Sequence, residues 1–261
     1  MKLSIDNFVR SAHPICQDYS LIGPDYAFLT DGCSSSPRSE IGAHLVPFLA
    51  ERSHLADVDF MSFIKRYLNE WPLSGICFDT TLLSCHMKYD KLMLELIGDS
   101  CIIIKNKNGH YELHITEYRD NAPPYVSYFL DEKKRELYKK QFPNNAKIYK
   151  WRLLNDKFED IENDYYVCEE NIERDDWFLE CSGIEDVFIS TDGIKSFRDN
   201  TGQPVPMVEV IKEITAIKSY TGAFLQRRMN KMIKDFSQKG IIATDDISVV
   251  AFHFGEKDES I

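Results

Sequence analysis

Three aspartates stand next to short apolar runs that have the character of β-strands. Asp31 and Asp192 each follow such a run and precede a glycine, whereas Asp245 comes shortly before an apolar run. Hard cations such as Mg²⁺ and Mn²⁺ prefer oxygen ligands in a near-octahedral array and keep several waters. A few carboxylates and one backbone carbonyl would meet this requirement. Taken singly, however, an Asp-Gly pair is a turn far more often than a metal ligand.

The aspartates can act together only if separate strands bring them to the same end of a sheet. Residues 26–29, 187–190 and 247–254 are apolar runs that predict buried strands. Adjacent strand ends can gather side chains that are distant in sequence. The three aspartates are therefore candidates for one shared site.

The other elements favour antiparallel sheets covered by helices. Residues 78–118 predict an antiparallel meander, with Asn108-Gly109 as a two-residue hairpin turn. Helices are expected at about 207–219 and 222–238. This separation of strands and helices argues against an alternating βαβ chain.

Side-chain periodicity predicts which faces of two helices are buried. The helix that follows the first Asp-Gly pair is expected to bury Ile41, Leu45, Phe48 and Leu49. The last helix is expected to bury Leu225, Met229, Met232, Ile233 and Phe236. Residues 129–180 lack a clear period, and we expect them to form an insertion or flap within a single domain of 1–261.

Composition places the chain among ordinary globular proteins. Its 261 residues are 43% hydrophobic and 28% charged, enough to bury a sizeable core. Seven cysteines without a C-x-x-C pair favour a reducing cytoplasm over a disulfide or zinc framework. No secretory leader and no membrane-length apolar run is seen. The net charge of −11 argues against a nucleic-acid partner. Together these features lead us to expect a cytoplasmic protein without a membrane partner, and we expect it to be a monomer.

Six short motifs follow one another in a recognisable order. They are Gln17-Asp18, Leu29-Thr30-Asp31-Gly32, Asp79-Thr80-Thr81, Gly98-Asp99-Ser100, Ser190-Thr191-Asp192-Gly193 and Asp245-Asp246-Ile247-Ser248-Val249-Val250. This series resembles that of the metal-dependent protein phosphatases, the type 2C serine/threonine class, from about residue 10 to residue 254. Residues 13–18 and 121–125 look closest to its bacterial branch.

The resemblance implies a fold and a metal site. The fold would be an α+β, αββα sandwich of two mainly antiparallel sheets flanked by helices. Two divalent cations, Mn²⁺ or Mg²⁺, would be bound at one end of the sheets. Asp31 would bridge both cations, the carbonyl of Gly32 would complete one, and Asp192 and Asp245 would hold the other.

The resemblance also implies a reaction and a set of supporting residues. A water that bridges the two cations would attack phosphoserine or phosphothreonine directly, without a phosphoenzyme. Asp18 with Gln17 would bind metal-bound waters, and Asp99 would lie near a third, weaker metal position. The substrate would be a phosphoprotein, with a cognate serine/threonine kinase as a further candidate partner.

Several positions depart from the family pattern. His13 replaces an arginine that grips the substrate phosphate, so phosphate contact and a purely structural role both stay open. Cys33 replaces a proposed general acid, and its sequence surroundings offer nothing that would lower the pKa of a thiol. Ser196 replaces an aspartate, which weakens the third-metal role of Asp99. Asp246 replaces an asparagine and adds a carboxylate beside the metal ligands.

Three alternatives remain at this stage. The chain could be a pseudophosphatase that binds phosphoproteins without turnover. It could hydrolyse small phosphoesters, although it has no glycine-rich phosphate loop. It could also be an α+β domain in which the Asp-Gly pairs are merely turns.

Overall fold

The computed structural model describes residues 2–70, 78–168 and 174–255. In these ranges the strands are β1 (Lys2–Arg10), β2 (Asp18–Ile22), β3 (Tyr26–Asp31), β4 (Leu82–Lys88), β5 (Lys91–Ile97), β6 (Ser100–Asn106), β7 (Tyr111–Tyr118), β8 (Lys147–Leu154), β9 (Asp160–Cys168), β10 (Asp175–Glu180), β11 (Ile184–Ser190), β12 (Phe197–Arg198), β13 (Ile242–Ala243) and β14 (Ile247–Gly255). The helices are α1 (Ser39–Leu55), α2 (Phe60–Glu70), α3 (Val126–Leu130), α4 (Glu132–Gln141), α5 (Met207–Thr215) and α6 (Phe224–Gln238).

Two antiparallel sheets form the centre of the molecule. The larger sheet has the order β1-β14-β11-β6-β7-β8-β9, and the smaller has the order β10-β5-β4-β3-β2. A short ribbon of β12 and β13 stands apart from both. The expected sandwich of mainly antiparallel sheets is confirmed.

Alternating side chains along each strand divide the core into three layers, because successive residues point to opposite faces of a sheet. In β6, Ile102 and Ile104 face the layer between the sheets, whereas Cys101 and Ile103 face α5 and α6. On the outer face of the smaller sheet, Phe28 packs with α1 and α2. The helices therefore cover both outer faces of the two sheets.

The last helix buries the residues that its periodicity predicts. Leu225, Met229, Met232 and Phe236 are fully buried in α6, and Ile233 packs against the same cluster. The expected helices at 207–219 and 222–238 are present as α5 and α6, although α5 already ends at Thr215.

The predicted face of α1 is correct at two of its four residues. Leu49 is buried and Leu45 packs against the same cluster, whereas Ile41 and Phe48 are 41% and 44% exposed. The other buried residues of the helix are mostly small: Ser39, Gly42, Ala43, Val46, Pro47, Ala50 and Ser53. Small side chains let the helix approach the sheet closely. The approach is near enough for the Thr30 hydroxyl to donate a 2.6 Å hydrogen bond to the Ala43 carbonyl. Large apolar residues were therefore a misleading guide to this face.

The predicted meander over 78–118 is also wrong, because its strands belong to different sheets. β4 and β5 pair in the smaller sheet, and β6 and β7 pair in the larger one. The chain crosses between the sheets at Gly98, whose φ of 94° is open mainly to glycine.

The hairpin at Asn108-Gly109 is confirmed, with a longer turn than expected. Asn106 N donates a 2.9 Å hydrogen bond to the carbonyl of His110, which leaves three residues in the loop. Gly109 has a φ of 85°, as three-residue hairpin loops require near their end.

The segment for which we expected an insertion or flap contributes strands to both sheets. β8 and β9 extend the larger sheet beyond β7, and β10 forms the edge of the smaller sheet beside β5. The Lys147 ammonium in β8 lies 2.5 Å from an Asp175 carboxylate oxygen in β10, and so ties one sheet to the other. Among the described helices, none combines the length and apolarity that a bilayer span requires.

Gly98→Ala should destabilise the fold more than Gly202→Ala. Both glycines have positive φ, so both substitutions carry the strain of an L residue in that region. Only at Gly98 would the new Cβ meet other atoms, with Thr81 Cγ2 at 2.6 Å and the Pro124 carbonyl oxygen at 3.2 Å. Urea denaturation should show a larger loss of unfolding free energy for the first variant. Equal losses would mean that the crossing does not depend on this contact.

Candidate metal centre

The structure brings six of the predicted residues to one cavity at the end of the sandwich. The cavity has a volume of about 230 Å³, and its walls include Gln17, Asp31, Gly32, Asp99, Asp192 and Asp245. Asp18 is buried beside them, whereas His13 does not line the cavity. Residues distant in sequence thus meet at strand ends and in the loops next to them.

Hydrogen bonds to its main chain hold Asp31 in place at the end of β3. Asp31 N donates to the Thr81 hydroxyl at 3.0 Å, and the Thr80 hydroxyl donates to the Asp31 carbonyl at 2.8 Å. Asp18 in β2 lies directly opposite Asp31 in the antiparallel ladder. The register of one strand pair therefore places two carboxyl groups side by side.

A close backbone contact brings Asp192 and Asp245 to the same cavity. Asp192 begins a short 3₁₀ turn directly after β11. A Cβ on Gly193 would lie only 1.6 Å from the carbonyl oxygen of Asp246, so the turn can pack there only with glycine. This contact presses the 3₁₀ turn against the residues that enter β14.

The clustered carboxyl groups hold their protons more tightly than ordinary aspartates. Burial raises the pKa of Asp18 to about 7 despite hydrogen bonds from Thr191 and Asp31. Burial, followed by repulsion from Asp192, raises the pKa of Asp99 to about 7. Burial and the neighbouring carboxylates also hold the pKa of Asp31 well above its usual value. Positive charge bound in the cavity would relieve this repulsion.

One basic side chain faces the acidic cluster, and the sequence analysis missed it. Lys195 ends the same 3₁₀ turn that starts at Asp192, and its ammonium lies 3.1 Å from an oxygen of Glu117. Burial alone would lower the pKa of Lys195, but Asp192, Asp99 and Glu117 together raise it. The signal available in the sequence was the position of Lys195, three residues after the predicted ligand Asp192.

Asp245 differs from the other carboxylates because it lies at the rim of the cavity. Its side chain is 54% exposed, and one oxygen is 3.2 Å from His13 Nε2. As they stand, no three His, Cys, Asp or Glu side chains within 2–70, 78–168 and 174–255 are arranged to enclose a metal ion. The oxygen donors suit a hard cation in type, and one oxygen of Asp245 is engaged by His13 and by the N–H group of Asp246.

Asp246 holds the loop that precedes β2. Its carboxylate accepts hydrogen bonds from the backbone N–H groups of Ala12 at 2.6 Å, Gln17 at 2.7 Å and His13 at 3.2 Å. Burial alone would raise the pKa of Asp246, but these bonds outweigh it and lower the pKa. This carboxylate positions His13 and Gln17 and is absent from the cavity wall.

The surroundings of Cys33 correct the prediction made from its sequence neighbours. Burial alone would raise the pKa of its thiol, but hydroxyl groups of Ser35, Tyr125 and Ser36 outweigh burial and lower it. The Ser35 hydroxyl lies 3.1 Å from the sulfur. Tyr125 is far away in sequence, so only the fold reveals this contact.

Comparison with known proteins identifies the fold. No family model and no curated protein matches the sequence. A serine/threonine phosphatase of Mycobacterium tuberculosis, PstP/Ppp, is 14% identical, with 98% of this chain and 100% of that chain covered and a TM-score of 0.51. A mutated bacterial serine phosphatase is 10% identical, with 96% and 98% covered and a TM-score of 0.57.

A third solved structure contains a bound oxyanion. The PPM Ser-Thr phosphatase MsPP of Mycobacterium smegmatis, in complex with cacodylate, is 14% identical, with 97% and 98% covered and a TM-score of 0.50. At identities this low, the likeness establishes a common fold. The chain has the fold of the PPM-type phosphatases over nearly its whole length.

The metal-free protein should lose stability as the pH rises from 5 to 8. Asp18 and Asp99 have pKa values near 7 when folded, above their value of 3.8 in the absence of such surroundings. The folded state thus retains protons that the unfolded state has released, and this contribution disappears as the pH rises through 7. Urea denaturation in EDTA at pH 5, 6, 7 and 8 measures the slope of the unfolding free energy against pH.

Asp99→Asn should flatten this slope, whereas Asp156→Asn on an exposed turn should leave it unchanged. A slope that is the same in the wild type and the Asp99 variant would contradict the assigned titration.

Proposed function

We propose that this protein is a metal-dependent phosphatase that hydrolyses phosphoserine and phosphothreonine in proteins. The observation that carries the proposal is a cluster of carboxyl groups at one end of the sandwich, in which Asp18 is buried and Asp31, Asp99 and Asp192 are half-buried around the cavity. Retaining several desolvated carboxyl groups in one place costs stability unless a cation compensates for them. A cluster of this kind, in the fold of the PPM phosphatases, is best explained as a cation site.

The donor set favours two divalent cations, Mn²⁺ or Mg²⁺, because its groups are carboxylates and a carbonyl. In this proposal Asp31 would contribute to holding both ions, the Gly32 carbonyl would help to hold one, and Asp192 and Asp245 would hold the other. When bound, such ions would acidify water and neutralise phosphoryl oxygens. Asp245 already lines the cavity, and a bound cation would compete with its contact to His13.

The chain's own groups prepare the site for this chemistry. Thr191 donates a 2.7 Å hydrogen bond to Asp18 and fixes the carboxyl group that would orient waters with Gln17. The Gln17 amide is itself anchored, donating a 2.9 Å hydrogen bond to the Ser39 hydroxyl. His13 would be released when Asp245 binds a cation, and its imidazole would then be available to donate a hydrogen bond to the substrate phosphate.

The relatives support the substrate class. Two of the similar structures are serine/threonine phosphatases, and one of them binds cacodylate, a tetrahedral oxyanion like phosphate. By extension we propose a phosphoprotein substrate, a cognate serine/threonine kinase as partner, and action in the cytoplasm by a monomer with a single phosphatase domain.

Two other functions would give different results in an assay of phosphate release. A pseudophosphatase is the alternative that the replacements at His13, Cys33 and Ser196 favour. It would bind a phosphothreonine peptide without releasing phosphate. A small-phosphoester hydrolase would release phosphate from nucleotides much faster than from phosphopeptides.

Phosphate release from a phosphothreonine peptide should require Mn²⁺ and stop in EDTA. Asp31→Asn and Asp192→Asn should each lower kcat by on the order of a hundredfold or more, because each removes a cation ligand rather than core packing. Malachite green detection of phosphate measures the rate, and circular dichroism confirms that each variant is folded. Asp156→Asn, on an exposed turn, is the matched control and should retain the wild-type rate. Near-normal rates in the ligand variants would contradict the assigned ligands.

A further inference from the structure

Lys195 is a fixed positive charge within the acidic cluster. Its side chain is only 23% exposed, and its positive charge interacts with the charges of both Asp192 and Asp99. It does not line the cavity, whereas Asp192 and Asp99 do. A substrate in the cavity would therefore meet the carboxylates and not this lysine.

The surroundings of Lys195 restrict where its ammonium can lie. The residue belongs to the 3₁₀ turn Asp192–Lys195, which Gly193 packs against the backbone of Asp246. Glu117 in β7 holds the ammonium from the other side at 3.1 Å. A lysine attached to a packed turn and anchored at its tip cannot move far from the acidic cluster.

A second lysine leaves most of the charge of Lys195 available to the aspartates. Lys150 in β8 lies 2.5 Å from the other oxygen of Glu117, and it is 41% exposed. Lys150 and Lys195 therefore share the single negative charge of Glu117. The three groups together keep one net positive charge, which acts on Asp192 and Asp99.

We propose that Lys195 is an internal counter-ion that takes the place of a further cation beside Asp99 and limits the centre to two divalent ions. Asp18, Asp31, Asp99, Asp192 and Asp245 supply five negative charges when ionised, and Lys195 supplies one positive charge. The remaining four negative charges are balanced by two dications. A third dication would have to bind next to a buried ammonium, which repels it. This inference rests on the proposed function.

The number of bound Mn²⁺ ions tests the inference without an activity assay. Isothermal titration calorimetry, with free Mn²⁺ counted by electron paramagnetic resonance, should give two ions per wild-type chain. Lys195→Gln removes the charge and should bind three. The double variant Lys195→Gln with Asp99→Asn should return to two, because the additional ion depends on Asp99.

Two controls isolate the charge at this position. Lys195→Arg keeps the positive charge and should bind two ions. Lys157→Gln removes a positive charge from an exposed turn outside this group and should also bind two. Asp99→Asn alone should leave the number at two, since Lys195 already compensates Asp99. This last variant tests the inference even if Lys195→Gln fails to fold.

The outcomes separate this inference from the proposed function. Three ions in the wild type, two in folded Lys195→Gln, or the loss of an ion in Asp99→Asn would overturn the role of Lys195. Each of these results would leave a metal-dependent phosphatase intact. No Mn²⁺ binding by the wild type would overturn the two-ion centre and, with it, both conclusions.

Discussion

Mutual repulsion among desolvated carboxyl groups is the constraint on which the rest of this structure depends. Burial, and then repulsion from neighbouring carboxylates that include Asp192, raises the pKa of Asp18, Asp31 and Asp99. Without positive charge, such a cluster favours protonation or expansion of the site. The protein prevents expansion by fixing the backbone that carries each aspartate. The uncompensated charge then remains available to attract cations, so folding prepares the electrostatic field in advance of binding.

The backbone is fixed by different means at each aspartate. Asp18 and Asp31 owe their proximity to the register of β2 and β3, which no side chain can alter by rotation. Asp192 depends on Gly193, whose missing side chain allows the 3₁₀ turn to touch the carbonyl of Asp246. That same Asp246 uses its carboxylate to hold the loop of His13 and Gln17 through three backbone N–H groups. The residues entering β14 therefore position both neighbouring walls of the site, and the carboxylate of Asp245 at the rim is held by His13 and by the N–H group of Asp246.

The sequence predicted those features that depend on local pattern. The strand before Asp31, the face of α6 and the hairpin at Asn108-Gly109 all follow from periodicity or turn chemistry over a few residues. The features that failed depend on neighbours distant in sequence. The α1 face is chosen by how closely a helix can approach β3, and the two halves of the expected meander separate because Gly98 redirects the chain. Lys195 and the hydroxyl of Tyr125 act only through space, so their roles become visible only when the fold is known.

The loop that borders the acidic cluster is held by a different part of the chain from the cluster itself. The carbonyl of Asp79 accepts a hydrogen bond from Cys33 N at 2.9 Å, and its carboxylate accepts one from the Ser36 hydroxyl at 2.8 Å. The same carboxylate binds the Ser127 hydroxyl and lies 2.6 Å from the ammonium of Lys134. One buried carboxylate thus joins the loop after Gly32, which forms a wall of the cavity, to α3 and α4. Because the carboxyl groups of the site sit on strand ends and on the turns beside them, changes in α3 and α4 can reshape the entrance while leaving the arrangement of charges intact. The carboxylates of the site and the loop that borders the cavity are therefore attached to different elements of the fold.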